Sequence, residues 1–386
     1  LEMTKGKEVS QEDIERFNNV LGKYSKKLYG IWTIEDLKSI GNNEEYPLDG
    51  IYIQFKDITM EEEGISPIGK EANQFTGIYN GNGKKIEELN IKAEVDNIGL
   101  FGVNSGKIEN VTVEGYNLEV NYAQTGTIAG ENSGIITKCI NNNGEIHSNG
   151  NNDGSRVGGI VGLNKEDGLV EGCTNNSNIS GEYKLVGGIV GYNLGAKIEN
   201  CNNYGNISGP SQVGGIAGNT GGVDESSTAY LGNCNNYGNV EGKNIEQYNN
   251  DGSIGGIAGL NYHYSIIEKS KNEGIVKCDS WYAGGIIGIN YDTVNNCINK
   301  GEVQSISGAS TSQQIGGIVG RNACIIKECL NTGDVSGTTD NFDYIGGIAG
   351  VMNGTSYVRT LEAKIEKCYN SGNITGNNNI GGLVGR

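Results

Sequence analysis

Short apolar pieces of Ile, Val and Leu alternate with glycines and with polar runs of Asn, Ser, Lys and Glu along most of the chain. Val186 to Gln212 shows the pattern cleanly: Val-Gly-Gly-Ile-Val-Gly-Tyr-Asn, then Lys-Ile-Glu-Asn-Cys-Asn-Asn-Tyr-Gly, then Asn-Ile-Ser-Gly. A period of two predicts short strands, with Ile189, Ile198, Cys201 and Ile207 facing inward and Lys197, Glu199 and Asn206 facing water. No such segment can bury its apolar side alone. The first phrase recurs, however, at Gly99, Gly126, Gly158, Gly187, Gly214, Gly255, Gly284, Gly316, Gly346 and Gly381. Repeats of this kind supply the missing partner by stacking, each strand pairing with its equivalent one coil on. The expected fold is therefore all-β: a right-handed parallel β-helix, or solenoid, of about ten coils.

Stacking turns each repeat position into a column. Cys139, Cys173, Cys201, Cys234, Cys297, Cys329 and Cys368 share one position, and Ser270 takes it in the remaining unit. This is expected to be a file of small buried side chains with reduced thiols, because Ser270 substitutes without leaving a disulfide partner behind. Cys278 and Cys324 fall outside it. Two residues on, Asn141, Asn175, Asn203, Asn236, Asn272, Asn299, Asn331 and Asn370 form a second column. A third follows the glycine phrase at Asn104, Asn132, Asn164, Asn193, Asn261, Asn290 and Asn322. Stacked Asn side chains can bond their own copies up and down an array, so both are read as structural ladders. Gly205, Gly238, Gly274, Gly301, Gly333 and Gly372 recur four residues after the Cys position, which suggests a turn at positive φ.

The ends differ. Ser10 with Asp13 resembles a helix start, and Ile14, Phe17, Leu21, Tyr24 and Leu28 fall on one helical stripe. A second short helix is expected from Thr33 to Ile40, stopping at Gly41. Residues 1–45 are thus assigned to an N-terminal helical cap over an exposed sheet edge, and 46–386 to the repeat array. The last coil stops after its glycine phrase, so the chain is expected to continue, or to meet another polypeptide, beyond Arg386. Insertions at Thr220–Leu231, Asn244–Asp251, Thr338–Asp343 and Asn353–Lys364 are candidate binding loops.

Composition narrows the partners. The net charge of −17 argues against nucleic acid and against anionic membrane surfaces, and fits a soluble, self-repelling rod. No apolar run is long enough to cross a membrane as a helix. No cofactor or metal is expected: the column cysteines lie about thirty residues apart, far from the close ligand pairs of zinc sites. His147 and His263 both stand in polar stretches and are read as surface residues.

Two sets of residues could carry function. Tyr204 and Tyr237 share one position in adjacent coils and could face a ligand by stacking on sugar rings. Glu302 and Asp334 stand in neighbouring coils where others have Asn206, Asn239 and Asn373. They are the acids a polysaccharide lyase or glycoside hydrolase on this fold would need, although a solvated outward column explains them as well. Asn178, Asn206 and Asn373 match the glycosylation tripeptide, but inside the repeat phrase.

The unit Gly187 to Asn193, again at Gly316 to Asn322, resembles the GLUG-motif repeat of bacterial extracellular proteins. The lead-in through Trp32-Thr-Ile-Glu-Asp-Leu, Phe55-Lys-Asp-Ile, Pro67-Ile-Gly and Phe75-Thr-Gly-Ile-Tyr-Asn-Gly-Asn-Gly83 is similar to theirs too. The resemblance implies a cell-surface or secreted, non-catalytic module, either adhesin-like or forming the N-terminal region of an enzyme such as an IgA-cleaving zinc metallopeptidase. Its partners would be host or cell-surface proteins or glycans. The His-Glu-x-x-His segment of such a peptidase does not occur here, so its chemistry does not transfer.

Overall fold

The structure is a computed structural model that describes residues 28–60, 64–91, 96–121, 124–149, 155–243, 252–279, 281–305, 313–337, 343–353 and 362–386. Every strand pairing between coils is parallel and joins a strand to its equivalent in the next coil. One coil contains Lys184–Gly187, Val190–Leu194, Lys197–Glu199, Asn202–Asn203 and Ile207–Gly209. The first three stack into sheets of ten, nine and twelve strands respectively, which makes about nine complete turns of a parallel solenoid. The last two belong to a ladder that forks. Thr112–Val120 and Ile140–Ser148 are single long strands, and from the next coil onward each is replaced by two short ones, Thr174–Asn175 and Asn178–Gly181.

The core follows the predicted alternation. Val186, Ile189, Val190, Ile198, Cys201 and Ile207 are buried, and the same holds coil after coil. Glycine makes the thin side of each coil possible. In Val190–Leu194 the second residue, Gly191, lies so close to the preceding coil's Arg156–Gly158 strand that a Cβ would stand 2.5 Å from the Val157 amide nitrogen. Two sheets therefore meet backbone to backbone along this side.

The recurrent Gly205, Gly238, Gly274, Gly301, Gly333 and Gly372 are required for a reason other than the expected one. None has positive φ; instead a Cβ on Gly238 would lie 1.9 Å from the Gly205 carbonyl oxygen, and one on Gly274 equally close to that of Gly238. They form a file of close approaches. The left-handed position is the residue just before the Cys column. It holds Asn110, Lys138, Gly172, Asn200, Asn233, Lys269, Asn296, Glu328 and Lys367, with φ between +49° and +61°. Asn and Gly there meet a real backbone demand, while Lys138, Lys269, Glu328 and Lys367 sit under strain.

At the N-terminal end the helix stripe from Ser10 to Tyr24 lies outside the described residues. Leu28, assigned to it, instead opens the strand Leu28–Ile31, which pairs with Ile51–Gln54 as the first rung of the twelve-stranded sheet. The sheet thus begins inside the stretch assigned to the cap, because alternation takes over before Trp32. The short helix forms as expected at Ile34–Ser39. The Thr33 hydroxyl accepts the Asp36 amide, the Asp36 carboxylate accepts the Thr33 amide, and Gly41 follows at φ +75°.

Candidate functional site

Polar groups inside the coils are committed to structure. Asn141, Asn175, Asn203, Asn236, Asn272, Asn299, Asn331 and Asn370 form one chain in which each donates to the next side-chain oxygen at 2.7–2.9 Å. The second amide hydrogen serves backbone, as when Asn236 donates to the Gly238 carbonyl at 2.8 Å. The other Asn column behaves alike from Asn104 to Asn193 and from Asn261 to Asn322. Between them Thr220 interrupts it, receiving the Asn193 amide at 3.2 Å and meeting the Ser265 hydroxyl at 3.2 Å. In the cysteine file each thiol turns to carbonyls: the Cys201 Sγ donates to Glu199 at 3.2 Å and to Val170 of the preceding coil at 3.6 Å. The seven cysteines of the file are free thiols. Burial pushes the Cys139 and Cys201 thiols well up, which favours neutral thiol at physiological pH. Ser270 makes the equivalent bond to the Glu268 carbonyl.

The Glu302 and Asp334 column is exposed or half-exposed and also has backbone work to do. Asn178 accepts the Asn206 amide, Asn206 accepts the Asn239 amide, and Asn239 accepts that of Ile275, each at 3.1 Å. The series stops at Ile275 and resumes two coils on at Asp334, which accepts the Asn373 amide at 2.8 Å. The three glycosylation-type asparagines belong to this same stitched edge.

Tyr204 and Tyr237 are brought together: their ring centroids lie 4.7 Å apart with 8° between planes, and Tyr204 is 52% exposed. Each ring covers one face of the other, so the pair offers its edges, its hydroxyls and the outer face of Tyr204 to a ligand. The Lys271 ammonium approaches the second face of Tyr237 at 5.7 Å and pairs with Glu273 at 2.8 Å. His147 is half-exposed, as expected, with Nδ1 2.8 Å from the Ser180 hydroxyl. His263 is not on the surface: it is 4% exposed, beneath Tyr262 and Tyr291 at ring distances of 4.3 and 5.5 Å. A polar sequence neighbourhood misled there, because two flanking tyrosines cover the imidazole. Among the described residues no group of three or more His, Cys, Asp or Glu is gathered as a metal site, and no helix is long and apolar enough to cross a membrane.

Sequence reasoning missed a second aromatic region. Outside the main core a small apolar cluster forms from Leu260, Tyr282 and Ile289, with Trp281 and Tyr291 packed on it. Tyr262, 43% exposed, meets Tyr291 edge-on at 6.0 Å. The Arg321 guanidinium lies over the Tyr282 ring at 5.9 Å, and its Nε donates to Asn353. The available signal was the Asn-Tyr dipeptide after the glycine phrase at 261–262 and 290–291, together with the Trp-Tyr at 281–282.

A parallel solenoid stitched by Asn ladders and a cysteine file defines a stacked repeat protein. The coil whose strands were described above matches the GLUG motif over residues 182–208. Two relatives share part of the array. Halomucin of Haloquadratum walsbyi is 29% identical over 205 residues, 42% of this chain, and a proposed Gly-rich membrane protein of Evansella cellulosilytica is 30% identical over 170 residues, 34% of this chain. The matched segments span only 2% and 20% of those proteins' own lengths. The fold is shared with a crystal structure from Bacteroides ovatus, of a protein proposed to be an immunoglobulin A1 protease. That likeness has a TM-score of 0.50 at 18% identity, and covers 75% of this chain and 80% of that one.

Proposed function

We propose that this chain is a non-catalytic module at a cell surface or outside the cell, a stiff rod that displays side-chain columns and loops for binding host or cell-surface proteins or glycans. One observation carries the reading: the polar groups that repeat in register are consumed by the scaffold itself, inside through the Asn and Cys files and outside through the Asn178 to Asn373 edge. In particular, the acids that a glycan-cleaving enzyme would need stand on that edge, where Asp334 holds the next coil's amide in an exposed position. Similarity to halomucin and to the Gly-rich membrane protein supports a location at or outside the cell boundary, and the GLUG motif supports a repeat with a scaffolding role. The stacked Tyr204 and Tyr237 offer one outward binding element.

The test is to print the purified chain against an array of glycans and host-surface proteins while following polysaccharide turnover in parallel. Saturable binding without turnover is expected. A blank array removes the binding role. Cleavage of a polysaccharide that disappears in a Glu302→Gln, Asp334→Asn double variant would replace the module by an enzyme.

A further inference from the structure

Two outward columns, one on each of the two glycine-rich sheets, interlock with an offset of one coil. Arg156 of one coil lies over Tyr192 of the next at 5.7 Å, and Tyr282 of a later coil lies under Arg321 of the coil that follows it at 5.9 Å. Register confirms the equivalence: Tyr192 aligns through Asn219, Leu260 and Ile289 with Arg321. The farthest coil repeats the arrangement, with Arg386 over Tyr344 at 5.2 Å. All three described arginines therefore sit on one stripe, each laid on a tyrosine. Several lysines elsewhere are paired with acids, as in Lys85 with Glu114 and Lys271 with Glu273.

The middle of this stripe is where the apolar cluster lies outside the core. Burying Leu260, Ile289 and Tyr282 there does nothing for the solenoid interior, and half-exposed Trp281 and Tyr291 with exposed Tyr262 complete a surface of rings. Rings of this kind cover the apolar C–H faces of pyranoses. A guanidinium held over a ring still has its N–H edge, and that planar edge matches a carboxylate in a way an ammonium does not. In a chain of charge −17, a stripe furnished with arginine is complementary to a localised negative group on an otherwise apolar-faced ligand.

We propose that the Trp281–Tyr282–Arg321 region binds a carboxylate-bearing glycan, sugar rings lying on Trp281 and Tyr262 and a carboxylate meeting the Nη edge of Arg321. The proposal rests on the binding role argued above and gives that role a ligand class and a place. It is distinct from the Tyr204 and Tyr237 pair, which stands on another ladder of the coil.

The experiment is calorimetric titration of the full chain with a short hexuronic-acid oligosaccharide, its methyl ester and a neutral hexose oligomer of equal length. The acid form is expected to bind about tenfold more tightly than the ester, the loss of one charge-assisted hydrogen-bonding contact. Arg321→Gln should abolish that difference by bringing the acid down to the affinity of the ester, Trp281→Ala should weaken both, and Lys56→Gln, exposed in the first coils, should alter neither. Thermal unfolding checks each variant, and Tyr262→Ala, at an exposed ring, replaces Trp281→Ala should the latter unfold. Equal binding of acid and ester, or wild-type affinity in Arg321→Gln and in the aromatic variant, overturns the proposal. So does absence of any hexuronate binding. If the array nevertheless shows another ligand, the display role stands and only this assignment falls; if the array is blank as well, both fall.

Discussion

Replacing Asn236 by Ala tests whether the ladders hold the coils together. The Asn236 side chain is fully buried, donates to Asn272 Oδ1 and to the Gly238 carbonyl at 2.8 Å each, and accepts the Asn203 amide at 2.8 Å. It also lies flat against Gly215, where a Cβ would come within 2.3 Å of its Cγ. In the variant an Asn203 donor, an Asn272 acceptor and the Gly238 carbonyl lose their partners in a space closed to water. Each such buried orphan costs about 1–3 kcal/mol, so the loss should be about 3–9 kcal/mol before any cavity is counted. Because each coil contacts only its neighbours, this is enough to uncouple the two halves of the array locally. Urea unfolding followed by circular dichroism gives the total. Hydrogen exchange should show protection falling first in the Cys201 to Gly242 coils. Asn235→Ala is the control: the same residue type one position away, half-exposed, with a single bond to Asn202 at 3.0 Å, and an expected cost of about 0.5–1 kcal/mol. Equal, small losses from the two variants would refute the ladder argument.

Other outcomes follow from the same geometry. Gly238→Ala should unfold the array or lower its melting temperature steeply, since its Cβ would meet the Gly205 carbonyl at 1.9 Å, whereas Gly83→Asn, at φ +69° with open space around it, should be nearly neutral by the same melting assay. Lys138→Gly should stabilise by about 0.5–1 kcal/mol in urea titrations, because φ +54° strains any side chain with a Cβ and Lys138 is exposed. Thiol titration should find Cys139 and Cys201 unreactive at neutral pH until the chain unfolds, burial having raised their pKa and suppressed the thiolate; prompt reaction in the native state would contradict the buried file. The lysine partners of Glu114, Glu273 and Glu366 hold those carboxyls below the usual range, so the small stability they lend is present above the unfolded carboxylate pKa and fades as pH falls through the lowered folded values. A melting temperature that declines gently in acid, and less so in high salt, is the expected reading.

The solenoid was legible because its instructions repeat. One unit fixes which residues face inward, and the columns of Asn and Cys are visible as soon as units are laid in register. What repetition cannot reveal is the reason a residue recurs. Glycine at 205, 238 and 274 and glycine at a left-handed turn look alike in sequence, and only the carbonyl 1.9 Å away separates them. The left-handed column was obscured by Lys138, Lys269, Glu328 and Lys367, residues whose own preference opposes the backbone they adopt. Surface chemistry was harder still. The interlocking of Arg156 with Tyr192 and of Tyr282 with Arg321 depends on two sheets meeting one coil out of step, an offset that no single repeat encodes.

Departures from the repeat are themselves informative, because a scaffold this regular gains nothing from breaking its own ladders. The Gly-x-Asn file breaks at Thr220 and resumes at Asn261 with Ser265 bridging below, and the cysteine file breaks at Ser270. Both breaks fall in two adjacent coils. Those coils also carry the turn from Gly222 to Thr228, whose Gly222 amide bonds the His263 carbonyl at 2.8 Å, and the exposed Tyr262 above buried His263. The outer cluster of Leu260, Tyr282 and Ile289 begins in the second of them. Local rules are broken in natural proteins chiefly where something other than folding is being served. Weaker hydroxyl bonds at Thr220 and Ser265 allow the strand ends to accommodate the turn and the tyrosines. Restoring the file with Thr220→Asn should therefore strengthen the stack, raising the melting temperature, while disturbing the position of Tyr262 and with it any binding at the aromatic stripe. A variant that gained stability and kept full affinity would separate the interruption from function.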